Sequence, residues 1–122
     1  MQSNRDLLAA AYQAFNARDI ESVLALMHPD VDWPNGWEGG RLSGQNSVRE
    51  YWLRQWAQID PRVDPVRIAD DPDGRTVVQV RQTVRDLAGN LLADQTVQHV
   101  YTIQDGFIRR MDIRDPAGKL VS

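Results

Sequence analysis

Apolar residues in the first sixty positions recur with the spacing of a helix face. Leu8, Ala11, Tyr12 and Phe15 fall three, one and three residues apart, which stacks them on one side of an α-helix. Ser3 stands ahead of this stripe with Asp6 three residues on, a capping-box spacing that predicts the helix start. Asp19 predicts the cap of a second, shorter helix with the stripe Ile20, Val23, Leu24 and Met27, which Pro29 ends at His28. Val31-Asp32-Trp33 reads as a short extended segment, and Gly36, Gly39, Gly40 and Gly44 mark a long loop after it. Ser43 or Ser47 predicts the cap of a third helix, with the stripe Val48, Tyr51, Trp52, Gln55, Trp56 and Ile59 and a stop at Pro61.

Beyond Pro61 the period drops to two. Val66 and Ile68 alternate with Arg67 and Ala69, residues 75–86 and 91–103 are β-rich runs around Ala88-Gly89, and 107–114 form a last strand. Asp70-Asp71-Pro72-Asp73-Gly74 and Asp105-Gly106 read as turns, and Asp115-Pro116-Ala117-Gly118 closes the domain. Helices followed by an antiparallel meander predict an α+β domain. A strand as long as 91–103 would run roughly 43 Å if straight, against a diameter of about 35 Å for a globule of this size. The expected fold is therefore a cone-shaped, curved antiparallel β-sheet wrapped around three N-terminal helices, with a pocket on the concave side. Residues 1–118 are expected to form this single domain and 119–122 a C-terminal tail.

Turns at Ala88-Gly89 and Asp105-Gly106 also predict a register. Thr83 then opposes Asp94, Arg81 opposes Thr96, Arg85 opposes Leu92, Gln98 opposes Ile113 and His99 opposes Asp112. One face so defined carries Arg81, Arg85, Asp94, Gln98, Met111 and Ile113; the other carries Val78, Val80, Val97, His99, Tyr101 and Ile108. Both are mixed in polarity. The first is expected to line the pocket, and the second to pair with another copy, giving a homodimer through the outer sheet face.

Composition narrows the chemistry. The 122 residues fit one domain. With no cysteine and two histidines, disulfides, thiolate catalysis and a His-rich metal cluster drop out, and neither metal nor cofactor is expected. Fourteen basic against seventeen acidic residues give a charge of -3, which lacks the basic footprint of a nucleic-acid partner. No apolar run is long enough for a bilayer and the N-terminus lacks a signal-peptide pattern, so no membrane partner and a cytoplasmic location are expected.

Four segments carry a resemblance: Phe15-Asn16-Ala17-Arg18-Asp19; His28-Pro29-Asp30-Val31-Asp32-Trp33; Gly44 opening a helix with Val48, Tyr51 and Trp52; and Val97-Gln98-His99-Val100-Tyr101 with Asp105-Gly106. Together they resemble the nuclear transport factor 2-like, or SnoaL-like, superfamily, a cone fold that includes ketosteroid isomerases, polyketide cyclases, limonene-epoxide hydrolases and scytalone dehydratase. The resemblance implies a pocket for a small, partly apolar molecule. By the same resemblance, the ketosteroid-isomerase general base falls on Asn35 and its hydrogen-bonding acid on Gln98. The helix-one tyrosine falls on Ala11, one step from Tyr12, and the epoxide-hydrolase acid falls near Ile113. Asn and Gln side chains donate and accept hydrogen bonds but do not take a proton near neutral pH, so the steroid-isomerase activity is not implied.

The candidate catalytic groups are Asp94, Arg85 and Gln98. Arg81 and Arg85 flanking Asp94 would lower its pKa and could hold a carbonyl-bearing or anionic ligand; the alternative is an exposed salt-bridge ladder. Trp33, Trp37, Trp52 and Trp56 are candidate walls; core packing is the favoured reading of Trp52, while Trp33 and Trp37, flanking the glycine-rich segment, read equally as lining or as core. Asn35, Arg81, Arg85 and Gln98 are candidate polar anchors, with Tyr12, Met111 and Ile113 completing the ligand-binding set. A facing His99–Asp112 pair would orient an imidazole, though on the expected outer face. His28 is expected to satisfy helix-end carbonyls, and Asp70-Asp71-Pro72-Asp73 lacks the closing Glu of a calcium loop. Two functions stay open. One is a small-molecule-binding pocket protein; as an enzyme it would be a cofactor-free isomerase, cyclase or hydrolase type that stabilises an enolate or oxyanion by hydrogen bonds. The other is a non-catalytic dimeric interaction domain.

Overall fold

The computed structural model describes residues 3–115 and 120–121. In chain order the elements are α1 (Asn4–Asn16), α2 (Ile20–Leu24), β1 (Met27–Pro34), β2 (Arg41–Ser43), α3 (Gln45–Trp56), β3 (Ile59–Asp70), β4 (Thr76–Asp86), β5 (Leu91–Gln104), β6 (Phe107–Arg114) and β7 (Leu120–Val121). Ser3 caps α1 by accepting from the Asp6 amide at 3.1 Å, and Asp19 caps α2 by accepting from the Ser22 amide at 3.3 Å. At α3 neither serine serves. The cap is Gly44, whose φ of 87° carries no side-chain capping bond, a conformation that costs glycine little. Its amide donates instead to the Val31 carbonyl at 2.8 Å, tying the helix start to β1. Met27 and His28 belong to β1 and not to α2; His28 Nδ1 accepts from the Asp30 amide at 3.0 Å, not from a helix end.

The sheet runs β2-β1-β6-β5-β4-β3, with β7 also pairing with β6. Every pair is antiparallel except β1–β6, which is parallel. The sheet is thus mixed where an all-antiparallel one was expected. The cause is that α1 and α2 deliver the chain to β1, so no hairpin dictates its direction. Of the tail expected over 119–122, Leu120 and Val121 pair with β6; Lys119 and Ser122 lie outside the described residues, as does the boundary expected at 118.

Three register shifts among the antiparallel pairs bend the sheet, and a fourth lies in the parallel β1–β6 pair between Met27 and Asp32. Val66 on β3, Leu92 on β5 and Arg109 on β6 each stand as an extra residue opposite the partner strand, and such bulges increase local twist and curvature. The bulge at Arg109 also changes which residues face each other. His99 pairs with Ile113, Tyr101 with Met111 and Gln98 with Arg114, one step from the expected partners. The one at Leu92 sets Arg85 opposite Leu91 and not Leu92.

This reverses the expected faces of β4 and β5, while on β6 Met111 and Ile113 line the hollow as expected and Ile108 joins them. The concave face, against the helices, carries Val78, Val80, Val97, His99, Tyr101, Ile108, Met111 and Ile113. Arg81, Arg85, Asp94, Gln98 and Asp112 lie on the convex face. The physical reason is apolar area: the face with Val78, Val80 and Ile108, each fully buried, gains most from leaving water. Asp112, expected to face His99, is on the opposite side of the sheet.

Side chains close the helix layer onto the sheet. Asn16, at the end of α1, donates to the Val63 carbonyl at 2.7 Å and accepts from the Val63 amide at 3.0 Å, occupying the open edge of β3 as a further strand would. Arg18 donates to the Pro61 carbonyl at 2.6 Å while its guanidinium lies 4.9 Å from the Trp56 ring centroid. On the convex face Asp32, Arg41, Arg110 and Asp112 bind β2, β1 and β6 together; Arg110 is bidentate to Asp112 at 3.0 and 3.0 Å and reaches Asp32 at 2.6 Å. Among the described residues no helix is long and apolar enough to cross a membrane, which leaves strand-built spans untouched.

Asn16→Ala deletes both bonds to Val63 and leaves a backbone amide and carbonyl of the sheet edge without partners. The expected loss is about 2 kcal/mol in urea denaturation. A change under about 0.5 kcal/mol, the level of an ordinary surface substitution, would show that the edge is held by other contacts.

Candidate functional site

The hollow between helices and sheet is a cavity of about 530 Å³, within the usual range for small-molecule sites. Tyr12 reaches it from the buried stripe of α1, which also places Leu8, Ala11 and Phe15 inward. Alternation along β5 sends Val97, His99 and Tyr101 to the same side, and β6 adds Ile108, Met111 and Ile113. Trp33 comes from β1, and Tyr51, Trp52 and Gln55 from α3.

At the deep end three polar groups meet. Tyr12 Oη lies 2.7 Å from His99 Nδ1 and 2.8 Å from Tyr101 Oη. The Tyr12 and His99 rings stack at 5.9 Å and 13°, and Tyr101 stands edge-on to Tyr12 at 6.2 Å and 89°. Aromatic contacts continue without a gap: Trp33 lies 6.4 Å from Tyr101 and 5.7 Å from Trp52, which stacks on Trp56 at 5.8 Å. Burial favours the neutral form of each titratable member. It raises Tyr12 and Tyr101 well above the ordinary phenol range and lowers His99 from 6.5 to about 4. At neutral pH the cluster is uncharged and satisfies itself by hydrogen bonds.

The rest of the described wall is mostly apolar, with Thr96 and the Tyr51 phenol among its polar members. Gln55, Gln82 and Gln95 contribute amides, and Asp115 is the one carboxylate among the described lining residues. Gln55 Nε2 lies 3.4 Å from Tyr51 Oη, whose pKa burial raises. No group of three or more His, Cys, Asp or Glu among the described residues could hold a metal ion.

Of the residues singled out from sequence, Tyr12, Trp33, Trp37, Trp52, Met111 and Ile113 lie on the cavity wall. Trp56 sits behind it, packed on Phe15 and Trp52 under Arg18. Asn35 is buried but engaged in its own loop: it accepts from the Glu38 amide at 2.7 Å and donates to the Glu38 carboxylate at 3.0 Å. That carboxylate also holds Arg54, and Arg54 and Asn35 together lower its pKa to about 2. Arg81, Arg85, Asp94 and Gln98 are carried on the convex face, away from the cavity. Arg81 is bidentate to Asp94 at 3.0 and 2.7 Å and holds its pKa down, while Arg85 donates to the Gly89 carbonyl at 3.2 Å. This is the exposed ladder that was the alternative reading of those residues.

Sequence reasoning set His99 and Tyr101 on the far face and passed over Tyr51, Gln55, Gln82 and Gln95 as lining groups. For the strand residues the signal was present in the valines at 78, 80, 84 and 97, whose parity they share within each strand.

Linkage gives the site a pH signature. Between pH 6.5 and about 4 the unfolded chain binds a proton at His99 that the folded chain refuses, so stability present above pH 6.5 falls as the pH drops through this window. The displacement is worth about 3 kcal/mol. His99→Gln should flatten that part of the urea-stability profile; parallel profiles for the two proteins would show that His99 is not buried neutral.

Comparison with solved structures places this geometry in a known context. TerC, co-crystallised with polyporic acid, is 29% identical with a TM-score of 0.79, over 93% of this chain and 92% of that one. An NTF2-like protein of unknown function from Burkholderia pseudomallei is 24% identical, TM-score 0.80, over 94% and 92%. A candidate polyketide cyclase from Xanthomonas campestris is 19% identical, TM-score 0.77, over 89% and 87%. Comparison with curated proteins finds no match. The SnoaL-like domain family matches residues 8–111, the helices, the curled sheet and the deep end of the cavity together, and the chain belongs to that family.

Proposed function

We propose that the cavity binds a partly apolar aromatic molecule carrying a carbonyl or hydroxyl oxygen, which it sets against Tyr101 and Tyr12. The observation that carries this is the Tyr101–Tyr12–His99 chain of hydrogen bonds on the wall of a mostly apolar hollow. The SnoaL-like fold is of the small-molecule-binding cyclase and isomerase type, and the 29% identical relative crystallised with polyporic acid supports the ligand class.

The chain of three has two proton arrangements. In one, Tyr101 donates to Tyr12 and Tyr12 to His99 Nδ1, which leaves the Tyr101 oxygen to accept from a ligand hydroxyl. In the other, Nδ1–H donates to Tyr12 and Tyr12 to Tyr101, which leaves the Tyr101 hydroxyl to donate to a ligand carbonyl. Such a site fits both the keto and the enol form of one ligand. An isomerisation or cyclisation through an enolate would gain from these preorganised donors. His99, held near 4, is a weak base, so the arrangement favours polarising an oxygen over abstracting a proton from an inert carbon.

Polyporic acid is the first probe to use. The protein's melting temperature should rise with its concentration by mass action, and Tyr101→Phe should weaken binding about tenfold by removing the group that meets the ligand oxygen. If neither polyporic acid nor a panel of aromatic polyketide, steroid and terpenoid scaffolds raises it, the reading fails.

We also propose a homodimer through the convex face. Arg62, Asp64, Arg81 and Asp94 interleave both signs there, so a two-fold axis can set each sign against its opposite. Analytical ultracentrifugation should show a dimer that weakens as salt is raised; a monomer at every salt concentration overturns it.

A further inference from the structure

The cavity has a second polar end. Gln82 on β4 and Gln95 on β5 are direct cross-strand partners, and both line the hollow. Neither amide is engaged by another group among the described residues. Each offers two donors and an acceptor. From His99 to Gln95 is four residues along β5, roughly 13 Å. The stretch between them is apolar, with Val97 opposite Val80, and Val63 stands beside Gln82 on the neighbouring strand. Exposure increases along the same line. His99 and Tyr101 are buried, whereas Leu92 and Gln95 are exposed, so the amide pair stands toward the mouth. Leu92, three residues from Gln95, presents apolar surface there at 58% exposure, and Trp37 exposes 40% of its surface elsewhere on the wall.

We propose that Gln82 and Gln95 form a second hydrogen-bonding subsite that selects ligands by length. Its ligand is an elongated, uncharged aromatic molecule, roughly two or three rings in line, with a hydroxyl or carbonyl oxygen at each end. One oxygen meets Tyr101 and Tyr12; the other meets the amide pair. The uncharged character follows from the wall. No cation lines the cavity among the described residues to pair with an anionic ligand. A cationic group would have to lose its water against an apolar middle. The subsite rests on the reading that the cavity binds small molecules, and it adds a claim about which ones.

The test compares biphenyl and terphenyl rods carrying a para hydroxyl at one end with the same rods carrying one at both ends, by calorimetric titration. In the unmodified protein the second hydroxyl should strengthen binding about tenfold on at least one rod length. In Gln82→Leu/Gln95→Leu the ratio of the two rods' affinities should fall to about one, whatever the affinity of the singly hydroxylated rod. Gln95→Leu alone, at an exposed position, should lose part of the gain and guards against a folding defect in the double variant. A gain that survives both variants, or no gain in the unmodified protein, overturns the subsite and leaves the pocket reading standing. Failure of every rod to bind overturns the subsite, and the pocket reading falls with it only if polyporic acid and the scaffold panel fail as well.

Discussion

A strand of fourteen residues such as β5 would measure about 46 Å if straight, and a domain of this size is narrower than that. The strands must bend, and bending has to be built into the ladder. Val66, Leu92 and Arg109 supply it by standing unpaired in their strands. The hollow exists because the sheet curls farther than three short helices can fill. The chemistry of its wall depends on the same devices, since the extra residue at Arg109 determines that Met111 and Ile113, and not their neighbours, join His99 and Tyr101 inside.

Charge is sorted across the sheet with the same logic. The paired guanidinium and carboxylate groups of the strands stay on the convex side, where Arg81–Asp94 and the Asp32, Arg41, Arg110, Asp112 lattice lie in or near water, and Asp115, just past β6, is the one carboxylate among the described lining residues. The strands' concave side admits polar groups only in forms that need no counter-ion: a phenol and a neutral imidazole that meet the Tyr12 phenol of α1, and amides. Burying an ionised group without a partner costs several kcal/mol, whereas a closed chain of neutral hydrogen bonds costs little. The site is therefore suited to holding and polarising a neutral molecule.

That sorting explains how this chain departs from the proton-transfer enzymes it resembles. Asn35, aligned with a general base, is consumed in its own loop by Glu38, and Arg54 anchors that loop to α3. Gln98, aligned with a second acid, faces away from the cavity opposite Arg114. The polar groups that meet inside the hollow are Tyr12, His99 and Tyr101, within a SnoaL-like frame.

Local chemistry makes much of this legible in the amino-acid order alone. Ser3 and Asp19 are caps wherever the helices go, because an oxygen two or three residues from a free amide finds it without tertiary help. The Asp105-Gly106 turn is equally local, with φ of 56° and 80°. Strand length demands curvature, and the helical stripe marks Tyr12 and Trp52 as inward. What the chain alone did not determine is which face of the sheet that curvature encloses. A single extra residue, Arg109, inverts the inward set of β6 relative to β5, because side chains alternate with a period of two. Bulges carry no composition of their own, and it took the packing of the helices into one core with Val78, Val80 and Val97 to choose the side on which His99 and Tyr101 meet Tyr12.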